Sequence, residues 1–358
     1  MGYQERFVGR RVLVTGHTGF KGSWLSLWLA RCGASVSGLA LDPPTVPSLF
    51  ALASVASRLA ADHRVDIRDS TATEAAIRDA APEVVFHLAA QPLVPEGYAH
   101  PRENFATNVM GTANVLTAAA ASGSVKAIVC VTTDKVYHNA ESVHPYRECD
   151  RLGGLDPYSS SKAAAELVAA SLRHSLDTDA RIATARAGNM IGGGDFAGSR
   201  LVPDAMRAFA AGAPLVLRRP DAVRPFLHVL DGLAGYLRLA AALLDAVENS
   251  DGAWNFGPAP GDDLTVGAVA ERLARGWGDG AAVAAAPASS AVHEAGILRL
   301  DSTKARLGLG WTPVWGLDRA LDETLAWYRA WHGGAPMAEI TLRQLAAFEA
   351  AAGGEGAP

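Results

Sequence analysis

Tyr158 and Lys162 stand four residues apart in PYSSSKAAAELVAASL. On a helix that spacing puts both side chains on one face. An ammonium beside a phenol favours the phenolate, which predicts a Tyr158 pKa lowered towards the working range. Such a phenolate can accept a hydroxyl proton while a hydride leaves the same carbon. A second reactive set lies in VTTDKVY, where Thr133, Asp134 and Lys135 follow the apolar run KAIVCVTT. Neighbours on a regular strand face opposite sides, so Asp134 and Lys135 can converge only if the strand ends or bends at Thr133. Taken alone, each set has an ordinary reading. Y-x-x-x-K is common on helices, and an acid next to an amine at a strand end is usually surface decoration.

A third set gives the first two a setting. TGHTGFKG spaces Gly16, Gly19 and Gly22 as G-x-x-G-x-x-G between a strand and a helix. Gly16 permits the tight turn, Gly19 lets backbone N–H groups approach a pyrophosphate, and Gly22 lets helix and strand pack closely. This is a dinucleotide-binding turn, and Thr18 and Phe20 within it are expected to line the cofactor. A carboxylate for the adenine ribose is expected at the end of the second strand. The chain has Ala40 there and Asp42 two residues later, and no arginine in that turn to meet a 2′-phosphate, although Lys21 is close in sequence. The balance favours NAD. Asp66 and Ile67, after the third strand, are placed to hold the adenine.

The elements that must carry these groups alternate along the chain. Strands are predicted over 11–16, 34–41, 64–67, 83–89, 126–133 and 181–187, with helices over 20–33, 71–81, 104–122 and 158–176. The strand runs are continuously apolar, as expected when both faces are covered. Strand and helix in this rhythm imply an α/β fold, a Rossmann-type doubly wound parallel sheet. The rhythm loosens after residue 189, where IGGGDFAGSRLVP reads as loop. A helix over 202–211, a strand near PLVLR, and WNFGP, VGAVAERLARGWG and GLDRALDETLAWYRAWH build a smaller α/β lobe. The expected division is a cofactor domain over 1–188, with parts of 220–260 returning to it, a substrate lobe over 189–350 and a disordered tail over 351–358. Ligands belong in the crevice between sheet and lobe.

Composition narrows the function classes. A net charge of −5 with no long block of like charge argues against nucleic acid as a partner. Cys32, Cys130 and Cys149 show neither metal-ligand spacing nor a disulfide framework, which predicts no metal and a reduced, cytoplasmic setting. MGYQERFVGRRVLV lacks an uninterrupted apolar stretch of the signal-peptide kind, and the alanine-rich runs are too short to span a bilayer. The expectation is a soluble chain with no membrane partner.

TGHTGFKG, DIRD, HLAAQP, TNVMGT, TTDKVY and DPYSSSK together resemble the extended short-chain dehydrogenases/reductases, and more narrowly the CDP-glucose 4,6-dehydratases. PTVPSLF, RAGNMIGGGD, VRPFLHVLD and WNFGP extend the resemblance over roughly residues 8–335. The resemblance implies NAD as cofactor, held also by Leu88, Ala89 and Ala90 of HLAAQP and by Tyr158 and Lys162. It implies a nucleotide-sugar substrate, CDP-glucose first among them, that is oxidised at C4, loses water across C5 and C6, and takes hydride back at C6. In that cycle Tyr158 takes the 4-hydroxyl proton, Thr133 hydrogen-bonds the same hydroxyl, Asp134 is the acid and Lys135 the base. A lysine base must be neutral, against a free pKa of about 10.4, and an aspartic acid donor must be kept protonated by desolvation. Asn108, Asn189 and Arg224 are implied substrate contacts, with helix bending and a surface salt bridge as bland alternatives for the first and last. His228 reads as structural. The resemblance also implies a homodimer through the alanine-rich helices 104–122 and 158–176.

One stretch departs from the family pattern QPLVRxSY: this chain has Pro95, Glu96 and Gly97 in place of Arg-x-Ser. A loop expected near an anionic substrate thus loses a cation and a hydroxyl and gains a carboxylate. Two other readings stay open on sequence: a nucleotide-sugar 4-epimerase, which needs no eliminating acid–base pair, and a noncatalytic NAD-binding homologue.

Overall fold

The apolar runs assemble into one parallel sheet. In this computed structural model, which describes residues 2–286 and 295–354, strands β1 (Arg11–Thr15), β2 (Ser35–Ala40), β3 (Ala61–Arg64), β4 (Val84–His87), β5 (Ala127–Val131) and β6 (Arg181–Ala187) follow the predicted series. After β6 come β7 (Asn189–Ile191), β8 (Leu215–Leu217), β9 (Val223–Arg224), β10 (Phe226–His228) and β11 (Gly252–Phe256), then β12 (Leu264–Thr265) and β13 (Val283–Ala285). Strand β11 returns to pair with β6, giving a seven-stranded sheet of order β11-β6-β5-β4-β1-β2-β3. The order reverses between β1 and β4, and the crevice beyond their carboxyl ends is where such a sheet binds its ligand. The remaining strands form three two-stranded pairs: β10 with β7, β12 with β9, and β13 with β8.

The third strand lies three residues earlier than the sequence reading placed it, at ADHR rather than RVDI. This edge strand is only half covered, so its pattern alternates instead of running apolar, while Asp66 and Ile67 fall just beyond it.

Helices α1 (Phe20–Arg31), α2 (Leu49–Leu52), α3 (Ser70–Ala80), α4 (Val94–Ala99), α5 (Pro101–Phe105), α6 (Gly111–Ala121) and α7 (Pro157–Ser175) belong to the first half. Residues expected as one helix over 104–122 instead form α5, a π-helical turn at Ala106–Met110, and α6. The second half adds α8 (Leu201–Ala210), α9 (Val229–Leu244), α10 (Val266–Trp277), α11 (Thr303–Leu309), α12 (Leu317–His332) and α13 (Met337–Gly354). Helix α13 carries the chain as far as Gly354 rather than leaving a tail from 351, and residues 355–358 lie outside the described part.

A single apolar cluster runs from Val12 and Trp24 through Leu233 and Trp311 to Phe348, so sheet and second lobe share one core. Helix α9 is apolar on most sides and packs beneath β5 and β6, which anchors the lobe to the sheet. The same architecture brings β5, α1, α7 and the segment after β6 to one crevice.

Candidate active site

The glycine turn is built to approach an anion. Gly16 sits at φ +74, and a Cβ there would meet Ala89 N at 2.8 Å and Leu88 C at 2.9 Å. A Cβ on Gly22 would lie 2.1 Å from Gly16 O. Only glycine fits either place. Helix α1 starts at Gly19 with no side-chain cap, which leaves its first N–H groups open to a phosphate. Opposite, Leu88 N and Ala89 N both donate to Thr15 Oγ1 (3.1 Å each), which fixes the turn leading to Ala90. Thr18 uses its hydroxyl on Leu41 O (3.0 Å), and Phe20 is partly buried at the head of α1. The residues present fit a dinucleotide.

The adenosine end carries a correction. The sequence placed no arginine at the end of β2, yet Arg64 reaches it from β3, donating to Leu41 O at 3.1 Å. It does not stand alone, because Asp62 (2.8 Å) and Asp42 (3.5 Å) pair with it. A neighbouring strand is invisible to a reading along the chain. Asp62 also meets buried His17 at 2.8 Å, and the His17 ring fills the space above Gly38. Asp66 is held by three atoms of Arg68, which keeps its carboxyl below the ordinary range. Ile67 is buried and offers its carbonyl to Asn114 at 2.8 Å.

At the other end of the crevice, β5 stops at Val131 and the chain turns into a short 3₁₀ segment, Asp134–Val136. Thr133 caps this turn, its Oγ1 accepting from Lys135 N (3.3 Å) and donating to Asp134 Oδ1 (2.8 Å). This is the bend the adjacent acid and amine require. Asp134 is 1% exposed, its Oδ2 is buried without a hydrogen-bond partner, and burial pushes its carboxyl pKa up against the pull of Lys135, Thr133, Arg224 and Lys21. Lys135 is half-buried and lines the crevice.

Helix α7 begins where sequence dictates, with Asp156 accepting from Ser159 N (3.0 Å) and Pro157 in the first turn. That start sets Tyr158 and Lys162 in successive turns, both buried. Tyr158 is not lowered as the sequence predicts. Burial is the largest effect and pushes it up to about 12, against the neighbouring Thr133 hydroxyl and the charge of Arg200. Lys162 spends its ammonium on Val131 O at 2.9 Å, and burial lowers its own pKa.

Arg200 was not found by sequence reasoning. It lies in a glycine-rich loop with no periodicity, is held by Asp195 at 2.8 Å, and faces the crevice near Tyr158. Lys21 is a second such group, its pKa lowered to about 8 by burial and by Arg200 and Lys162. With Lys135, Arg218, Arg219 and Arg224, these cations line one cleft, matched by Asp195 and Asp204. The excess of positive charge suits an anionic ligand.

Three substrate expectations fare differently. Asn189 lies on β7 and lines the cleft, as does Arg224, which is 6% exposed and donates to Ala295 O and Val223 O. Asn108 does not line it. Its amide is fully buried and bonds Gln91 N (2.8 Å), Gln91 O (3.1 Å) and Ser161 Oγ (2.9 Å), so it fastens the loop after β4 to α7 from within the π-helical turn. Asn104, unremarked in the sequence, completes this clasp through Pro157 O and Ser161 Oγ. The departure at 95–97 also reads differently in space. Pro95 lines the cleft, but Glu96 is exposed and points towards His100, and Gly97 is pressed on Tyr158, where a Cβ would lie 3.2 Å from Tyr158 N. The cation is lost from the cleft, yet no carboxylate has entered it. His228 is buried, caps α9 by accepting from Leu230 N (3.2 Å) and packs on Trp315. Among the described residues no cluster suits a metal ion and no helix is long and apolar enough to cross a membrane.

Comparison with known proteins agrees with this geometry. The chain is 44% identical over 350 residues to the CDP-glucose 4,6-dehydratase of Salmonella typhimurium, covering 96% of this chain and 97% of that protein. It is 30% identical over 256 residues to the dTDP-glucose 4,6-dehydratase of Streptomyces griseus, covering 69% of this chain and 73% of that one. Among solved structures, the UDP-glucose 4-epimerase of Thermus thermophilus in complex with NAD has a TM-score of 0.76 at 26% identity, over 89% of this chain and 99% of that chain. The model of the NAD dependent epimerase/dehydratase family matches residues 12–257. The chain therefore belongs to the NAD dependent epimerase/dehydratase family, and NAD is its cofactor.

Proposed function

We propose that this chain is a nucleotide-sugar 4,6-dehydratase that converts CDP-glucose to CDP-4-keto-6-deoxyglucose. One observation carries the reading beyond family membership: a buried acid, Asp134, bonded by Thr133, sits beside Lys135, an amine that lines the same cleft as Thr133 and Tyr158. An epimerase has no use for that acid and base. Bound NAD supplies a two-electron store, accepting hydride and later returning it.

The chain's residues supply everything else. Tyr158 must first give up its own proton against the burial that raises its pKa, and as a phenolate it takes the proton of the 4-hydroxyl. The resulting C4 ketone acidifies the C5 hydrogen, and Lys135 removes that proton in its neutral amine form, becoming the ammonium. Asp134, kept protonated by burial, gives its proton to the C6 oxygen, and water leaves. Lys135, now an ammonium, returns a proton to C5, and hydride restored at C6 completes the product. Lys21, Arg200, Arg218, Arg219 and Arg224 bind the diphosphate and the sugar nearby, a task guanidinium groups perform well. Asn189 lines the same wall.

We place the working form as a homodimer. Phe105 on α5, Met110 on the π-helical turn and Leu167 on α7 are 40%, 57% and 62% exposed on neighbouring helices, an apolar surface that a second copy would cover. Three free cysteines suit the cytoplasm. The test is to incubate the purified protein with CDP-, UDP-, dTDP- and GDP-glucose and follow product mass and base-induced absorbance. Loss of water from CDP-glucose is expected. A C4 isomer of unchanged mass, or no change with any of the four sugars, contradicts the proposal.

A further inference from the structure

Behind the crevice lies a buried ion pair that touches neither the crevice acid nor its base. Glu166, one turn beyond Lys162 on α7, pairs with Arg186 of β6 at 2.8 Å, and both are under 5% exposed. Removing two charges from water is costly, and apolar replacements of the same volume are often no less stable. What the pair holds is therefore the question. Glu166 Oε1 accepts from Thr132 Oγ1 at 2.5 Å, and its Oε2 accepts from Thr184 Oγ1 at 2.7 Å. Arg186 Nη1 donates to Tyr137 Oη at 2.9 Å and to Glu148 O at 3.1 Å. Tyr137 in turn donates to Asn255 Oδ1 at 2.6 Å and stacks on Tyr146 with ring centres 5.1 Å apart.

Thr132 and Tyr137 are the two residues that bracket Thr133–Val136. Both ends of the segment carrying Asp134 and Lys135 are thus fastened to one ion pair, and the pair's glutamate rides on the helix that carries Tyr158 and Lys162. We propose that Glu166 and Arg186 are positioning residues for the elimination, fixing the turn at both ends so that acid and base address one sugar. This rests on the dehydratase reading. Neither residue needs to touch substrate.

The test frees the ends and leaves the ion pair in place. Thr132→Val and Tyr137→Phe each remove one hydroxyl without changing shape. The double variant is expected to lose about 100-fold in kcat, the cost of a misplacement near 1 Å. KM for CDP-glucose should stay within about threefold, since the cleft cations are untouched, and entry of solvent deuterium at C5 should slow in step with kcat. In the protein without ligands, the amides of 133–137 should exchange faster. Thr132→Ser should recover both turnover and slow exchange. The proposal is overturned if the double variant, or Tyr137→Phe alone should the double not fold, keeps wild-type kcat, shows unchanged exchange at 133–137, or loses activity only through KM. Failure of the dehydratase reading would show instead in the unaltered protein, as no loss of water from CDP-glucose, while the exchange measurement would still report on the clasp.

Discussion

Thr133→Val swaps a hydroxyl for a methyl at one atom that bonds both the acid and the backbone of the base. In the structure Thr133 Oγ1 donates to Asp134 Oδ1 and accepts from Lys135 N, and the hydroxyl also opposes the upward shift of Tyr158. Losing the cap costs about 1 kcal/mol. Losing the donor leaves a buried carboxyl with both oxygens unsatisfied, since Oδ2 already has no partner, at a further 1–3 kcal/mol or so. The sum is roughly 2–4 kcal/mol of stability, read from urea unfolding of the cofactor-free protein. Tyr158 loses a neighbour that opposes its upward shift, so it is harder to ionise and less often the phenolate the reaction needs. With acid and base loosened as well, kcat should fall by about 10³, within the range that acid–base groups contribute. Thr133→Ser keeps Oγ and should stay within about tenfold of wild type. A valine variant as stable as wild type would show that the hydroxyl holds nothing up. One that turns over at the normal rate would refute the assignment of Thr133 to the chemistry.

Three further outcomes follow from the same cleft. Burial raises the Asp134 pKa above 3.8, so its favourable contribution to stability is complete below that pH and is lost as pH rises through the folded value. Asp134→Asn should match wild type in acid and be more stable at neutral pH in unfolding titrations, while dehydration falls by about 10²–10⁴; parallel pH curves would contradict this. Lys21 runs the opposite way: its pKa of about 8 lies below the ordinary 10.5, so wild-type stability should climb with pH between these values, and Lys21→Met should abolish that climb. Pro95→Arg returns a cation to the cleft wall and should lower KM for CDP-glucose by about 10-fold, equivalent to one charge-assisted hydrogen bond, with kcat unchanged and a steeper salt dependence. An unchanged KM would show that the existing arginines already saturate the diphosphate.

Much of this site can be read from sequence where a rule of local geometry applies. The glycine turn needs Gly16 and Gly22 because Leu88, Ala89 and Gly16 O stand where their side chains would be. Tyr158 and Lys162 follow from helix spacing and the Asp156–Pro157 start. The bend at Thr133 follows from asking how neighbours could converge. Residues that reach the site across space give no such signal. Arg64 arrives from an adjacent strand, Arg200 from an aperiodic loop, and Asn108 turns inward because a π-helical turn shifts its direction. Glu96 looks like an acid in the cleft until the helix of Val94–Ala99 turns it outward. The predicted drop in the Tyr158 pKa failed for a different reason. Spacing reports which groups are near, whereas desolvation depends on the whole fold.

In the proposed reaction one active site oxidises C4, expels water across C5 and C6, and restores hydrogen at C6 of the same sugar. CDP-glucose carrying deuterium at C4, turned over in ordinary water, tests this most directly. The label should appear at C6 of a product that has lost water, with ordinary hydrogen at C5. Label retained at C4 of an isomer, or absent from a dehydrated product, would contradict the account.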